Sequence, residues 1–211
     1  SIDSVLLPTM ASAQDDASRV KSMTRRAIKT STYIMAPLMM GLAFCADPIV
    51  RLVLTDKWLP CVPFLRIFCI TYMFYPIHTA NLNAIKAMGR SDLFLKLEIA
   101  KKVVGMLLLL STMWFGVMAM AYSLLISSVL SQTINSWPNR KLLNYGYLEQ
   151  LKDILPSIAL AVFMGGCVSL VSLFHLSNVV SLLLQIPLGA VIYVAASALL
   201  HLESFEYMRD L

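Results

Sequence analysis

Residues 61–90 read CVPFLRIFCITYMFYPIHTANLNAIKAMGR, a stretch that is long and apolar enough to cross a bilayer as a helix. At about 100° per residue, its polar side chains fall within an arc of roughly 80°, so one side of the helix is polar. A cation inside a membrane indicates function, and Lys86 on this side predicts a water-filled passage for an anion. The simpler alternative is that Lys86 reaches the headgroups. The polar side carries Tyr72, Tyr75, Thr79, Asn83, Lys86 and Arg90.

The composition of the whole chain indicates a membrane protein. Of 211 residues, 58% are hydrophobic and 14% are charged, and the mean hydropathy is +0.73. A soluble domain is nearer half apolar and a quarter charged, so that class is excluded. The net charge of +5 would suggest a nucleic-acid partner in a soluble chain, but here it reports membrane topology and no nucleic acid is expected.

Six stretches are long enough to span a bilayer, which needs about 20 helical residues. Ala46-Asp47-Pro48 interrupts the first, Pro76 predicts a kink in the second, and four charges lie in the first part of the third. The sequence therefore predicts an all-α polytopic membrane protein. The six predicted spans are Ser31–Leu54, Cys61–Met88, Leu93–Phe115, Val117–Ser136, Ile154–Leu173 and Val179–Leu200.

Lysine and arginine are distributed unevenly between the two ends of these spans. Fourteen of the 17 basic residues fall on one side, whereas the connections around Gly116 and at residues 175–178 have neither Lys nor Arg. The positive-inside rule therefore predicts that both termini of this chain are cytoplasmic. Residues 1–30 form a separate region in this prediction. Within it, Asp15–Ser31 is a basic amphipathic helix lying at the headgroups, with Asp15, Asp16 or Ser18 as its cap.

Three stretches carry a family resemblance: VLLPTMASAQDD (5–16), APLMMGLAFCADPIVRLVLTDKWLPCVPFLRI (36–67) and NLNAIKAMGRSDLFLKLEIAKK (81–102). The chain resembles the C-terminal half of the polysaccharide flippases that export O-antigen, colanic acid or teichuronic acid. These proteins form a branch of the multidrug/oligosaccharidyl-lipid/polysaccharide exporter superfamily. The resemblance is clear for residues 1 to about 140, and the last two spans match only in hydropathy.

The resemblance implies a MATE-like fold of fourteen helices, with two six-helix lobes and a terminal helix pair. Residues 31–140 then supply four helices of the C-terminal lobe, and residues 141–211 supply the terminal pair and a cytoplasmic tail. Residues 1–9 would end a preceding helix, and an N-terminal lobe outside this sequence would complete the transport site. The implied protein lies in a bacterial inner membrane and flips lipid-linked oligosaccharide of the undecaprenyl-diphosphate type by alternating access. It is not an enzyme, and it needs no cofactor.

The third and fourth spans carry further polar faces. Ser91, Glu98, Lys101, Lys102 and Gly105 share an arc of about 100°. Glu98 can pair with either lysine, which leaves the other for a diphosphate. Ser128, Ser131, Gln132 and Asn135 form a neutral face that suits either sugar hydroxyls or helix packing. The predicted substrate-binding residues are Lys86, Arg90, Lys101, Lys102, Glu98, Asn83, Tyr75, Thr79 and Gln132.

Two other function classes remain open. A cation-coupled multidrug antiporter of the same fold would be expected to have an acidic, apolar cavity. A polysaccharide polymerase or ligase would need a large outer loop with Arg, His or acidic residues, and the predicted outer connections are short. Glu98 is also a candidate group for a coupling ion, either a proton or sodium. The four cysteines have no metal-binding spacing, and neither a Walker loop nor a catalytic motif is present.

Overall fold

The computed structural model describes residues 2–174 and 176–209, and these residues form helices and connections with no strand. The predicted all-α architecture is therefore confirmed. His175, which the sequence placed in an outer connection, lies outside the described residues, as does Ser1. Short 3₁₀ helices cover Asp56–Cys61, Met113–Phe115 and Leu170–Phe174. The α-helices are α1 (Ile2–Ala11), α2 (Ala17–Phe44), α3 (Ala46–Val53), α4 (Val62–Met73), α5 (Tyr75–Ala87), α6 (Ser91–Thr112), α7 (Val117–Leu142), α8 (Tyr147–Ser169), α9 (Asn178–Leu199) and α10 (Glu203–Arg209).

Within the described residues, four helical segments are long and apolar enough to cross a membrane, and a fifth is a bent pair. Five of the six predicted spans meet this test of length and composition when the bent pair counts as one; α6, although 22 residues long, does not meet it because it carries Lys96, Glu98, Lys101 and Lys102. Several spans of this kind indicate a multi-pass membrane protein. The four segments are Asp56–Ala87, Val117–Leu142, Tyr147–Phe174 and Asn178–Leu199, and the bent pair is α2 with α3.

The predicted interruption of the first span is confirmed. The axes of α2 and α3 differ by 70°, and the break lies at Cys45. Pro48 has no N–H to donate to the carbonyl of Phe44, so the ladder cannot continue there. Arg66 compensates in part, because its Nε donates to the carbonyl oxygen of Ala43 at 3.2 Å and its guanidinium pairs with Asp47.

The beginning of α2 differs from the sequence prediction. The basic stretch Asp15–Ser31 and the first part of the membrane span form one continuous helix from Ala17 to Phe44. Asp16 caps it, since its Oδ1 accepts a hydrogen bond from the backbone N–H of Arg19 at 3.0 Å. No helix-breaking residue separates the connector from the span, and a helix propagates readily once it has begun.

The chain divides into two compact units. The first comprises residues 2–31 and 74–154. In it, α5 packs against α1, α6 and α7, and α6 runs along α7. Nine of the 13 residues of α5 are buried, so this helix forms the centre of the unit.

The second unit comprises residues 32–73, 155–174 and 176–209. In this unit α3 packs on α9, and Ala46, Val50 and Val62 form a buried cluster near the 3₁₀ helix Asp56–Cys61. Two glycines make close contacts in this unit. A Cβ atom on Gly165 would lie 2.2 Å from Cδ2 of Phe44, and one on Gly189 would lie 3.2 Å from Val168. The unit also holds an apolar cavity of about 520 Å³ between α2, α8 and α9.

A cationic cavity as candidate functional site

The first unit contains a cavity of about 420 Å³ whose walls are α5, α6 and α7. Unlike the cavity of the second unit, it has charged side chains in its lining. Helix α6 provides the charges because Glu98, Lys101 and Lys102 occupy adjacent positions around its second and third turns. The lining residues are His78, Glu98, Lys101, Lys102, Gly105, Met106, Leu109, Ser123, Leu124, Ser127 and Ser131.

The two lysines of α6 have different surroundings. The Lys101 side chain is 8% exposed, and its Nζ lies 2.5 Å from Oε1 of Glu98. Lys102 is exposed and forms no ion pair among the residues that the structure describes. Of the two pairings that the sequence allowed for Glu98, the structure contains the one with Lys101. Lys102 is therefore the lysine that Glu98 leaves without an ion pair among the described residues.

Helix α7 contributes a row of hydroxyl groups. Ser123, Ser127 and Ser131 are four residues apart and line the cavity together. Gly105 on α6 faces this row, and a Cβ at that position would lie 3.4 Å from Oγ of Ser127. Sequence reasoning identified Ser131 but missed Ser123 and Ser127, although their helical spacing was a usable signal. These hydroxyl groups can hydrogen-bond to phosphate or sugar oxygens.

His78 on α5 also lines the cavity. Its Nδ1 lies 2.8 Å from Nδ2 of Asn135, and its ring stacks on Tyr75 with centroids 5.6 Å apart. Both contacts orient the imidazole, which contributes to the cavity lining. His78 therefore packs against Tyr75 and Asn135 and also forms part of the cavity wall.

Gln132 lies outside the cavity lining and is 2% exposed. Its Nε2 donates to Oγ of Ser128 at 3.2 Å, and its Oε1 accepts from the hydroxyl of Tyr147 at 3.3 Å. These contacts join α7 to the start of α8. The observed contacts of Gln132 are therefore those of helix packing, one of the two roles that the sequence left open for the neutral face of α7.

The residues of the predicted polar side of 61–90 are distributed over α4, α5 and the turn after α5 rather than over one unbroken helix. Helix α4 ends at Met73 before Pro76, and α5 ends at Ala87 before Gly89, whose φ is +69°. Pro76 has no N–H for the helical hydrogen bonds that would continue α4, and Gly89 adopts the left-handed conformation that ends α5. Tyr72 and Arg90 consequently lie outside α5.

The other predicted residues of this stretch lie on α5 but do not line the cavity. Asn83 is 5% exposed, whereas Tyr75 is exposed and Thr79 donates to the carbonyl oxygen of Pro76 at 3.3 Å. Lys86 is exposed, and its Nζ lies 4.4 Å from the centroid of the Phe94 ring. This cation–π contact holds the lysine beside the start of α6.

Arg90 forms a two-point ion pair with Asp92 at the beginning of α6. Its Nε and Nη2 lie 3.0 and 3.2 Å from the two carboxylate oxygens. Through these hydrogen bonds the guanidinium holds the pKa of the Asp92 carboxyl below its ordinary value. Both side chains are exposed, so an anion would have to compete with Asp92 for Arg90.

A buried network of polar side chains connects two helices of the cavity wall, α5 and α7, to α8. Asn81 of α5, Ser136 and Asn139 of α7, and Gln150 of α8 are each at most 1% exposed and hydrogen-bonded to one another. In hydrocarbon such amides need partners within the protein. The network therefore fixes the relative positions of α5, α7 and the first turn of α8.

A second set of polar contacts joins the connector part of α2 to the α7–α8 turn. Lys21 Nζ donates to the carbonyl oxygen of Asn144 at 2.6 Å, and Arg25 pairs with Asp153 at 2.6 Å. The buried Tyr145 donates its hydroxyl to the same carboxylate at 2.7 Å. Burial, followed by this hydrogen bond, raises the pKa of Tyr145 above its ordinary value, so the phenol remains a donor.

The fold and this site define a class: a helical, multi-pass membrane protein with a cationic cavity in one of its compact units. Residues 1–63 match the family model described as polysaccharide biosynthesis protein. The chain is 30% identical over 155 residues to an uncharacterized membrane protein in the cps region of Klebsiella pneumoniae, covering 73% of this chain and 30% of that protein.

Two further relatives are named for polysaccharide biosynthesis. The lipopolysaccharide biosynthesis protein WzxC of Escherichia coli K12 is 25% identical over 135 residues, or 64% of this chain and 27% of WzxC. The teichuronic acid biosynthesis protein TuaB of Bacillus subtilis 168 is 23% identical over 195 residues, or 90% of this chain and 40% of TuaB. The chain spans less than half the length of these relatives. No solved structure matches it.

These matches confirm the resemblance to the polysaccharide exporters. The chain is a relative of the membrane proteins of polysaccharide biosynthesis that include WzxC and TuaB.

Proposed function

We propose that this chain forms part of a flippase that moves lipid-linked oligosaccharide of the undecaprenyl-diphosphate type across the bacterial inner membrane. The transport is by alternating access, and the cavity of α5, α6 and α7 receives the diphosphate. The observation that supports this most directly is the pair of lysines, Lys101 and Lys102, on the wall of a cavity in a relative of polysaccharide exporters.

The chemistry of the cavity suits a diphosphate and its first sugars. Moving an anion through hydrocarbon unaided is costly, so a carrier needs fixed cations in a wet cavity. Lys102 supplies an unpaired ammonium among the described residues, and Lys101 a second one that Glu98 neutralises. The serines of α7 add hydroxyl groups at hydrogen-bonding spacing for sugar or phosphate oxygens. Binding and release are sufficient, so no catalytic group is required.

Lys86 and Arg90 belong to the route into this cavity in the proposed scheme. The distribution of basic residues puts them near the cytoplasmic side, and both are exposed. Lys86 would attract the diphosphate before it reaches Lys102, whereas Arg90 would first have to leave Asp92. Both termini of the chain are cytoplasmic in this scheme. An N-terminal lobe would form the facing half of the passage, with membrane lipids around it and a proton or sodium ion driving the cycle.

Two alternatives have less support. A cation-coupled multidrug antiporter would favour an acidic cavity for cationic drugs, but Glu98, the one carboxylate on this cavity within residues 2–174 and 176–209, is paired with Lys101. A polymerase or ligase would require reactive groups outside the membrane. The inferred outer connection at Gly116 is a single 3₁₀ turn between α6 and α7, too short to carry such groups.

The test is polysaccharide export in a strain whose own gene for this protein is deleted and replaced by variants. Lys102→Ala should reduce surface polysaccharide about tenfold or more, because a charge-assisted contact with phosphate is lost. Lys96→Ala is the matched control, since Lys96 is exposed on the same helix outside the cavity. Equal export by Lys102→Ala and wild type, at equal membrane abundance, would contradict the proposal.

A further inference from the structure

Glu98 and Lys101 are unequally buried members of one ion pair. The Lys101 side chain is 8% exposed and the Glu98 side chain 32% exposed, with 2.5 Å between Nζ and Oε1. A buried ammonium without a partner is costly, so Lys101 needs a counter-charge whenever the cavity contains no anion. Glu98 supplies that charge from the preceding turn of α6. Its greater exposure means that it can turn towards water at a smaller cost than Lys101 can.

Lys102 is the ammonium that an incoming anion can meet without breaking an ion pair. It lies next to Lys101 in the chain, lines the same cavity, and has no carboxylate partner among residues 2–174 and 176–209. A diphosphate has several acceptor oxygens. One phosphate that pairs with Lys102 therefore leaves others free for the neighbouring ammonium of Lys101.

Building on the proposed function, we infer that Glu98 is an internal counter-anion, which the diphosphate of the substrate displaces from Lys101 and which returns when the substrate leaves. Lys101 is neutralised in both states by this exchange. The empty cavity can then change conformation without an uncompensated buried charge. Because substrate and Glu98 compete for the same ammonium, Glu98 weakens substrate binding and favours release.

Two other roles for Glu98 make different predictions. A carboxylate that only stabilises α6 would change the folding stability of the protein without changing its affinity for anions. A carboxylate that binds the coupling ion would make anion affinity depend on proton or sodium concentration, and that dependence would disappear in Glu98→Gln. A competing counter-anion predicts tighter anion binding both when the charge is removed, in Glu98→Gln, and when the charge is kept but withdrawn from Lys101, in Glu98→Asp.

The test is isothermal titration of inorganic pyrophosphate into the purified protein in its complete encoded form in detergent, at fixed pH and sodium concentration. Glu98→Gln should bind pyrophosphate about tenfold more tightly than wild type, within the usual range of coupling between two ligands of one site. Glu98→Asp keeps the charge but withdraws it from Lys101, so it should shift affinity in the same direction by less. Asp92→Asn is the control, since Asp92 is an exposed carboxylate on the same helix that pairs with Arg90, and it should leave affinity unchanged.

Lys102→Ala separates this inference from the proposed function. If Lys102→Ala weakens pyrophosphate binding but neither Glu98 variant tightens it, the counter-anion role is wrong and the anion site stands. If wild type does not bind pyrophosphate, or Lys102→Ala binds it equally well, both the proposed function and the inference fail. Should Glu98→Gln not fold, Glu98→Asp decides, and unchanged affinity in that variant contradicts the inference.

Discussion

Asn81 and Gln150, 69 residues apart in the chain, exchange two amide hydrogen bonds in the interior of the first unit. Asn81 Nδ2 donates to Gln150 Oε1 at 2.7 Å, and Gln150 Nε2 donates to Asn81 Oδ1 at 2.9 Å. Asn139 donates to the same Asn81 oxygen at 2.6 Å. This amide pair connects the helix that carries His78 to the first turn of α8, so the cavity wall depends on it.

Asn81→Ala should lower the free energy of unfolding by about 1–3 kcal/mol, because the amides of Gln150 and Asn139 would remain buried without their partner. The measurement is denaturant-induced unfolding in detergent micelles. Asn178→Ala, at an exposed position at the start of α9, should change the value by less than about 0.5 kcal/mol. Equal stability of the two variants would mean that the amide network does not brace the unit.

Gly165→Ala should destabilise the second unit by about 1–3 kcal/mol, because the new methyl group would overlap the ring of Phe44. Gly166→Ala is the matched control on the same helix, since nothing lies within 4 Å of a Cβ at that position. There alanine should be neutral or stabilising by up to about 1 kcal/mol, as expected for a helix interior. The measurement is thermal unfolding of both variants. A Gly166→Ala variant that is less stable than Gly165→Ala would contradict the packing described for α8.

Asp153→Asn should loosen the contact between α2 and the α7–α8 turn, since Arg25 and Tyr145 both use this carboxylate. The Asp153 side chain is 8% exposed, so a loss of about 1–3 kcal/mol is expected. Lys152→Ala changes an exposed neighbour and should have little effect. Hydrogen exchange of residues 17–31 would locate the change. Unaltered exchange there in Asp153→Asn would show that the carboxylate does not hold the connector.

The proposed orientation can be measured by cysteine labelling in a variant without the four native cysteines, which are all free thiols. A cysteine at Ser177 should react with an impermeant reagent added outside the cell, and a cysteine at Lys141 only after permeabilisation. Both positions are exposed in the structure. Lys141 is preferable to Asn144, whose φ of +48° would strain a cysteine. The opposite labelling pattern would reverse the topology and place Lys86 at the outer side.

The helical architecture and its interruptions could be predicted from the sequence because their causes are local. Apolar length gives the spans, and Pro48 and Pro76 remove backbone donors near the two predicted interruptions, although Pro37, Pro156 and Pro187 lie inside continuous helices. The number of spans was harder to predict. Helix α6 has the length of a span but the charge of a solvated helix, and composition alone does not decide between them.

The arrangement of the site was only partly predictable because it depends on contacts between helices. Helical spacing correctly grouped Glu98, Lys101 and Lys102, but which lysine Glu98 prefers depends on how deeply α6 is buried at each position. The polar side assigned to residues 61–90 is divided because α4 ends at Met73 and α5 ends at Ala87, so Tyr72 and Arg90 are not on the same helix as Tyr75, Thr79, Asn83 and Lys86. Asn81 and Gln150 could not be paired from the sequence, since no local pattern links residues on α5 and α8.

The most direct measurement of the central claim is translocation of a fluorescent undecaprenyl-diphosphate-linked sugar in proteoliposomes that contain the protein in its complete encoded form. The account predicts rapid transbilayer movement with wild type and with Lys96→Ala, and movement at least about tenfold slower with Lys102→Ala. Movement no faster than in protein-free liposomes, or equal rates with Lys102→Ala and wild type, would contradict it.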